Sequence, residues 1–175
     1  MQTRIRALGH TVHPMLVVFP LGLFITGTIF DLIHLITDKG TFGQVGFWMI
    51  SAGIIGAVLA ALTGFLDWTS IPSRTRAKRV GRVHGGLNSL MLLLFVIAWL
   101  IRVDNPSRAA GGGTFALEVV GVVIGGAAAW LGGELVDRLG IGVHDGANPN
   151  APSSLTGRDA GAVGQTGRRP RASRA

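Results

Sequence analysis

Four long apolar runs separated by short polar stretches organise the chain, at about residues 14–36, 45–66, 83–101 and 115–136. A helix rising 1.5 Å per residue needs roughly 20 residues to cross about 30 Å of hydrocarbon, and each run meets that length. The second run carries no charge. The first has Asp31 and His34 near its far end, the third opens on His84 with Asn88 one turn later, and the fourth has Glu118 and Glu134 near opposite ends. Backbone amides in lipid have no water to bond, so each run is expected to be a helix. The predicted fold is all-α, an antiparallel bundle of four transmembrane helices with short loops. The first run is too long for a signal peptide, and no small-residue cleavage pattern follows it, so it is read as a span.

Small residues recur every fourth position in two of the runs: Gly56, Ala60 and Gly64 in the second, and Gly121, Gly125, Ala129 and Gly133 in the fourth. Such stripes let helix backbones approach closely in lipid, either within one bundle or along a homodimer seam. Beyond the four-helix domain of residues 1–144, residues 145–175 are rich in Gly, Ala, Ser, Pro and Arg without apolar periodicity. They are expected to form a disordered basic cytoplasmic tail whose last arginines rest on anionic lipid or are simply solvated.

Composition agrees with a membrane protein. Hydrophobic residues make up 48% of the 175 and charged residues 14%, well below the roughly 25% charged residues of soluble domains. The net charge of +7 would suggest nucleic acid in a soluble protein, but here the basic residues sit in loops between spans, so no nucleic-acid partner is expected. Arg4 and Arg6 precede the first run. Arg74, Arg76, Lys78, Arg79 and Arg82 lie between the second and third. Arg138, Arg158, Arg168, Arg169, Arg171 and Arg174 follow the fourth. The opposite side has Lys39, with Arg102 and Arg108 assigned to the last loop. This asymmetry puts both termini in the cytoplasm. The absence of cysteine excludes disulfides, iron–sulfur ligation by this chain and covalent haem attachment.

Ionisable groups in a span are costly and therefore candidates for function. The topology sorts them by depth. His10, His13, Asp67 and His84 fall at the cytoplasmic level, with Asn88 sharing a helix face with His84. Pro14 suits a first helical turn and places His13 at the helix mouth, while Pro20 suggests a kink. Three readings of this inner group stay open. His84 with His13 or His10 would serve as axial ligands of a b-type haem, with Asp67 and Asn88 orienting them or a propionate. His10, His13, Asp67 and His84 would suit a non-haem iron or zinc ion. In the third reading the histidines cap helices and bond loops at the interface. Asp31, His34 and Glu118 are expected among headgroups at the outer side, and Trp68, Trp99 and Trp130 as interfacial anchors.

The opening Gly9-His10-Thr11-Val12-His13-Pro14-Met15-Leu16, with Phe19-Pro20-Leu21-Gly22, resembles the bacterial membrane proteins catalogued as domain of unknown function 2231. So do Gly64-Phe65-Leu66-Asp67-Trp68, His84 with Asn88, and the stretch from Gly142-Val143-His144-Asp145 to Ala151-Pro152-Ser153-Ser154-Leu155. The resemblance implies a multi-pass protein of the bacterial inner membrane with no established activity, similar in general build to small b-type cytochromes. Relatives joined to a Rieske domain imply electron transfer. Lacking cysteine, this chain would meet such a redox partner as a separate protein. The leading expectation is an electron-transfer or redox accessory protein that is not an enzyme on its own. The rival is a non-catalytic membrane scaffold or accessory subunit.

Overall fold

The computed structural model describes residues 4–164. Four helices dominate it: α1 (Val12–Thr37), α2 (Gly40–Ser70), α3 (Arg76–Val103) and α4 (Gly112–Gly133), the last continued by one π-helical turn at Glu134–Arg138. All four are long and apolar enough to cross a membrane. Each helix except α4 overruns its apolar run at both ends. The added turns are held by polar groups, as where the Thr75 hydroxyl accepts from the Lys78 amide at 3.1 Å and starts α3. Asp38, in the left-handed region at φ 54°, ends α1 by donating its amide to the His34 carbonyl. Pro14 occupies the first turn of α1, and Pro20 lies inside the helix without interrupting it.

Burial is inverted relative to a soluble bundle. Val18, Phe19, Ile55, Leu62, Leu93, Ile101 and Val123 point outward and are exposed, as expected where lipid is the solvent. The interior instead holds Phe24, Ile50, Ala57, Met91 and Phe95. Around the bundle the order is α1, α2, α3, α4, with the hairpins α1/α2 and α3/α4 packed more closely within themselves than against each other. This leaves α1 and α3 parallel across the diagonal.

The two hairpins repeat one another. His13, Pro20, Phe24, Gly27 and Asp31 of α1 correspond, at a constant shift of 71 residues, to His84, Met91, Phe95, Ala98 and Arg102 of α3. Apart from the two histidines, every one of these positions is buried. A shift of 68 residues carries Gly46, Ile50, Gly53, Ala57 and Ala60 of α2 onto Thr114, Glu118, Gly121, Gly125 and Ala128 of α4, again all buried. Equivalent side chains of the diagonal helices meet. Phe24 stacks on Phe95 at 4.1 Å and 10°, His13 faces His84, and Asp31 pairs with Arg102. The bundle is thus two copies of one helical hairpin about an axis running along it.

Glycines make room for these axial side chains. A Cβ on Gly53 would lie 2.7 Å from the Phe24 ring, and one on Gly121 2.8 Å from the Phe95 ring. Of the small residues noted in α2 and α4, Gly56, Ala60, Gly64, Gly121 and Gly125 therefore pack inside the bundle. In α4 the inward stripe passes from Gly125 to Ala128 and Gly132, while Ala129 and Gly133 face outward. That one-position drift follows from 3.6 residues per turn.

The end of the bundle at which the described residues begin and end is capped by short segments. Arg6–Ala7 pairs with His10–Thr11 in a two-stranded hairpin, whose Leu8 and Gly9 have φ of 50° and 84°. Residues 145–164, expected to lack structure, contain 3-10 turns at Ser154–Thr156 and Ala160–Gly164. Ser154 donates to the Leu8 carbonyl at 3.1 Å, and the His144 ring bonds the Gly9 carbonyl at 3.1 Å and contacts Arg6. The arginines expected to touch lipid, Arg168 to Arg174, lie outside the described residues.

Candidate functional site

Polar side chains gather in two layers, one near each end of the bundle. The layer beneath the termini holds the histidine pair. His13 is in the first turn of α1, and its Nδ1 lies 2.9 Å from the Ala60 carbonyl oxygen of α2. His84 is set two turns into α3, and its Nδ1 lies 2.8 Å from the Ala128 carbonyl oxygen of α4. A carbonyl only accepts, so Nδ1 carries the proton in both rings and Nε2 is the lone-pair nitrogen of the neutral imidazole. Each hairpin therefore supplies one histidine, tied to its own second helix at equivalent positions. Glycines again make the space: a Cβ on Gly64 would come within 2.7 Å of the His13 ring, and one on Gly132 within 3.2 Å of the His84 ring.

The two rings stand perpendicular, at 88°, with centres 6.4 Å apart. A metal–imidazole bond of about 2.0–2.1 Å places a metal about 3 Å from the ring centre, so two imidazoles sharing one ion stand about 6 Å apart. Carbonyl-fixed Nδ1–H groups with Nε2 left over are also how ligating histidines are usually oriented. The separation of the two rings and the anchoring of their Nδ1 atoms are what a bis-histidine site would require. Asn88 donates to the His84 carbonyl at 2.9 Å and lies 3.3 Å from His84 Nε2, so this amide covers part of the open nitrogen.

Residues 9–145 match the family described as predicted membrane protein (DUF2231). The chain belongs to that family. Neither a curated protein nor a solved structure matches it significantly. The matched region spans all four helices and both histidines of the pair.

The other expected members of the inner group stand apart. Asp67 is buried at the end of α2, where Oδ1 accepts the backbone amides of Arg4 at 3.0 Å and Ile5 at 3.2 Å. Its Oδ2 is buried with no hydrogen-bond partner. Asp67 thus anchors the N-terminal segment across the helix ends. His10 lies on the exposed hairpin, with Nε2 3.3 Å from the Ser154 hydroxyl. Among the described residues no three His, Asp or Glu side chains are grouped to hold a metal ion. The structure brings His13, His84 and Asn88 together and leaves His10 and Asp67 outside.

The opposite layer is ionic and was not expected. Arg102, assigned from its position to a loop, belongs to the last turn of α3 and is 1% exposed. Its guanidinium grips Asp31 through two bonds of 2.7 and 2.8 Å and reaches Glu118 Oε1 at 2.9 Å. The Gly43 and Arg108 carbonyls accept its remaining donors at 2.8 and 2.9 Å. Asp31 and Glu118 are both 0% exposed, so neither sits among headgroups. Asp31 faces inward while His34, one turn on, bonds the Lys39 carbonyl at 3.1 Å. The fork of arginine donors matches a bidentate carboxylate, which explains arginine rather than lysine here. Trp99 also turns inward, giving its indole N–H to Ser51 at 2.8 Å and stacking on Phe47. Trp130 is exposed and remains suited to an interfacial role.

Proposed function

We propose that this membrane protein is an electron-transfer or redox accessory protein that binds a b-type haem between its two hairpins, with His13 and His84 as axial ligands. The observation that carries the reading is the pair itself. Two imidazoles are supplied from symmetry-equivalent positions, each with Nδ1–H fixed on a carbonyl, and their centres are 6.4 Å apart. A b-type haem held this way carries one electron between its ferric and ferrous states. His13 and His84 would hold the iron, the Ala60 and Ala128 carbonyls would orient the rings, and Asn88 would steer His84. Asp67 and His10 take no part in this version of the site.

The rival, a scaffold with structural histidines, is favoured by the Asn88 amide lying against His84 Nε2. Absorption spectroscopy of the purified full-length protein titrated with haem separates them. The haem reading expects a Soret band that sharpens on reduction and is lost in both His13→Ala and His84→Ala, while circular dichroism stays helical. No Soret shift in the wild type, or an unchanged shift in both variants, overturns it.

The orientation proposed is with both termini in the cytoplasm of a bacterial cell and the histidine layer on that side. Burial of Arg102 strengthens this reading. It removes one positive charge from the opposite loops, leaving Lys39 and Arg108 there against Arg4, Arg6, Arg74, Arg76, Lys78, Arg79, Arg82, Arg138 and Arg158 at the end that carries the termini. A separate Rieske-type protein remains the proposed class of redox partner.

A further inference from the structure

Glu118 is a charge that the pairing of helices does not require. Asp31 already meets Arg102 through two bonds, and that couple is neutral on its own. The α2 position equivalent to Glu118 is Ile50, itself wholly buried, so the packing at this depth takes an aliphatic side chain. Glu118 instead brings an acid. One of its oxygens bonds Arg102, and the other, Oε2, is buried without a hydrogen-bond partner. With both carboxylates ionised, the cluster would hold an uncompensated negative charge inside a span, a costly state in hydrocarbon.

We propose that the Arg102–Asp31–Glu118 cluster is a proton-binding site in which Glu118 is the carboxylic acid that takes up and releases one proton. The groups that act on Glu118 are Asp31 of α1 and Arg102 of α3. His34 acts on Asp31, and α2 contributes the Gly43 carbonyl to Arg102. In the loaded state the proton sits on the Glu118 carboxyl group, with the Asp31 carboxylate as its neighbour. Release breaks the O–H bond, leaves the electron pair on the Glu118 carboxylate and sends the proton to water beyond that end of the bundle. Nothing is oxidised or reduced, so the site is independent of whether haem binds at the other end.

Infrared spectroscopy of the full-length protein in lipid vesicles tests this directly. The chain has only two glutamates, Glu118 and Glu134, and Glu134 pairs at the surface with Arg76 at 2.6 Å. Carboxyl-13C-glutamate labelling therefore separates Glu118 from every aspartate without mutation. At neutral pH the wild type is expected to show one protonated-carboxyl band that shifts on labelling and in D2O. The same band is expected to be lost in Glu118→Gln and kept in Asp67→Asn. Absence of a label-sensitive protonated band in the wild type overturns the proposal, and so does its persistence in Glu118→Gln. A band that appears only when sodium is withdrawn also overturns it, by naming a sodium ion as the occupant.

Discussion

The two polar layers occupy equivalent positions of one repeated hairpin and have opposite characters. At the end beneath the termini the repeat is kept: histidine faces histidine, each bonded within its own hairpin through Nδ1, with Asn88 lying against the second nitrogen of His84. At the other end the repeat is broken, with Asp31 against Arg102, and the bonds run between hairpins. The first arrangement spends little on joining the hairpins and keeps valence for a ligand. The second joins them, and its bidentate geometry sets the pairing of α1 with α3. Symmetry marks the candidate binding site, and its loss marks the fastening.

This contrast is sharpest under mutation. Removing Arg102 as Arg102→Leu strands two buried carboxyl groups and is expected to cost about 3–5 kcal/mol, read by unfolding of the helical signal in mixed micelles. A loss near zero would mean that the ionic layer fastens nothing. Next come the glycines. Gly53→Ala and Gly121→Ala each press a methyl group into a phenylalanine ring and should cost about 1–3 kcal/mol. Because they are equivalent positions, the two losses should be similar, and a clear inequality would weaken the repeat. Asp67→Ala should cost about 1–3 kcal/mol and speed hydrogen exchange at the Arg4 and Ile5 amides, which no change at His13 should do. The smallest effect is expected at the imidazoles themselves. Without ligand, His13→Ala removes the bond to the Ala60 carbonyl, worth about 1 kcal/mol, and His84→Ala removes the bond to the Ala128 carbonyl and the Asn88 contact, worth about 1–2 kcal/mol. A loss matching that of Arg102→Leu would make the histidines fasteners too and count against the ligand reading.

Much of this was legible along the chain. Four spans followed from run length, and the meeting of His13 with His84 followed from their depth once the helices alternate. Depth does not give direction around a helix axis, and that is why Asp67 and His10 were grouped with the pair although they serve the N-terminal segment. Arg102 was hidden for another reason. It sits beside Asp104 and Asn105 at the end of an apolar run, and linear context makes such a residue look like a loop charge. Only the diagonal helix supplies its partner. A signal was nonetheless present, because Asp31 follows His13 at the same interval as Arg102 follows His84, just as Phe24 and Phe95 follow those histidines at one shared interval. Residues 145–164 were illegible from composition, since their order rests on bonds that only the fold supplies, from Ser154 to the hairpin at the opposite end of the chain and from Asn148 to the Ala160 carbonyl.

The stacked pair Phe24 and Phe95 lies between the two layers, wholly buried and backed by Met91 and Ile50. It fills the axis between the layers with apolar side chains. A transmembrane voltage acts on a moving charge only across the fraction of the membrane that the charge traverses, at about 2.3 kcal/mol per elementary charge for a full crossing at 100 mV. A proton exchanging at Glu118 is confined to the layer on its own side of the phenylalanines. Its occupancy should therefore respond weakly to membrane potential and mainly to the acidity of the compartment it faces.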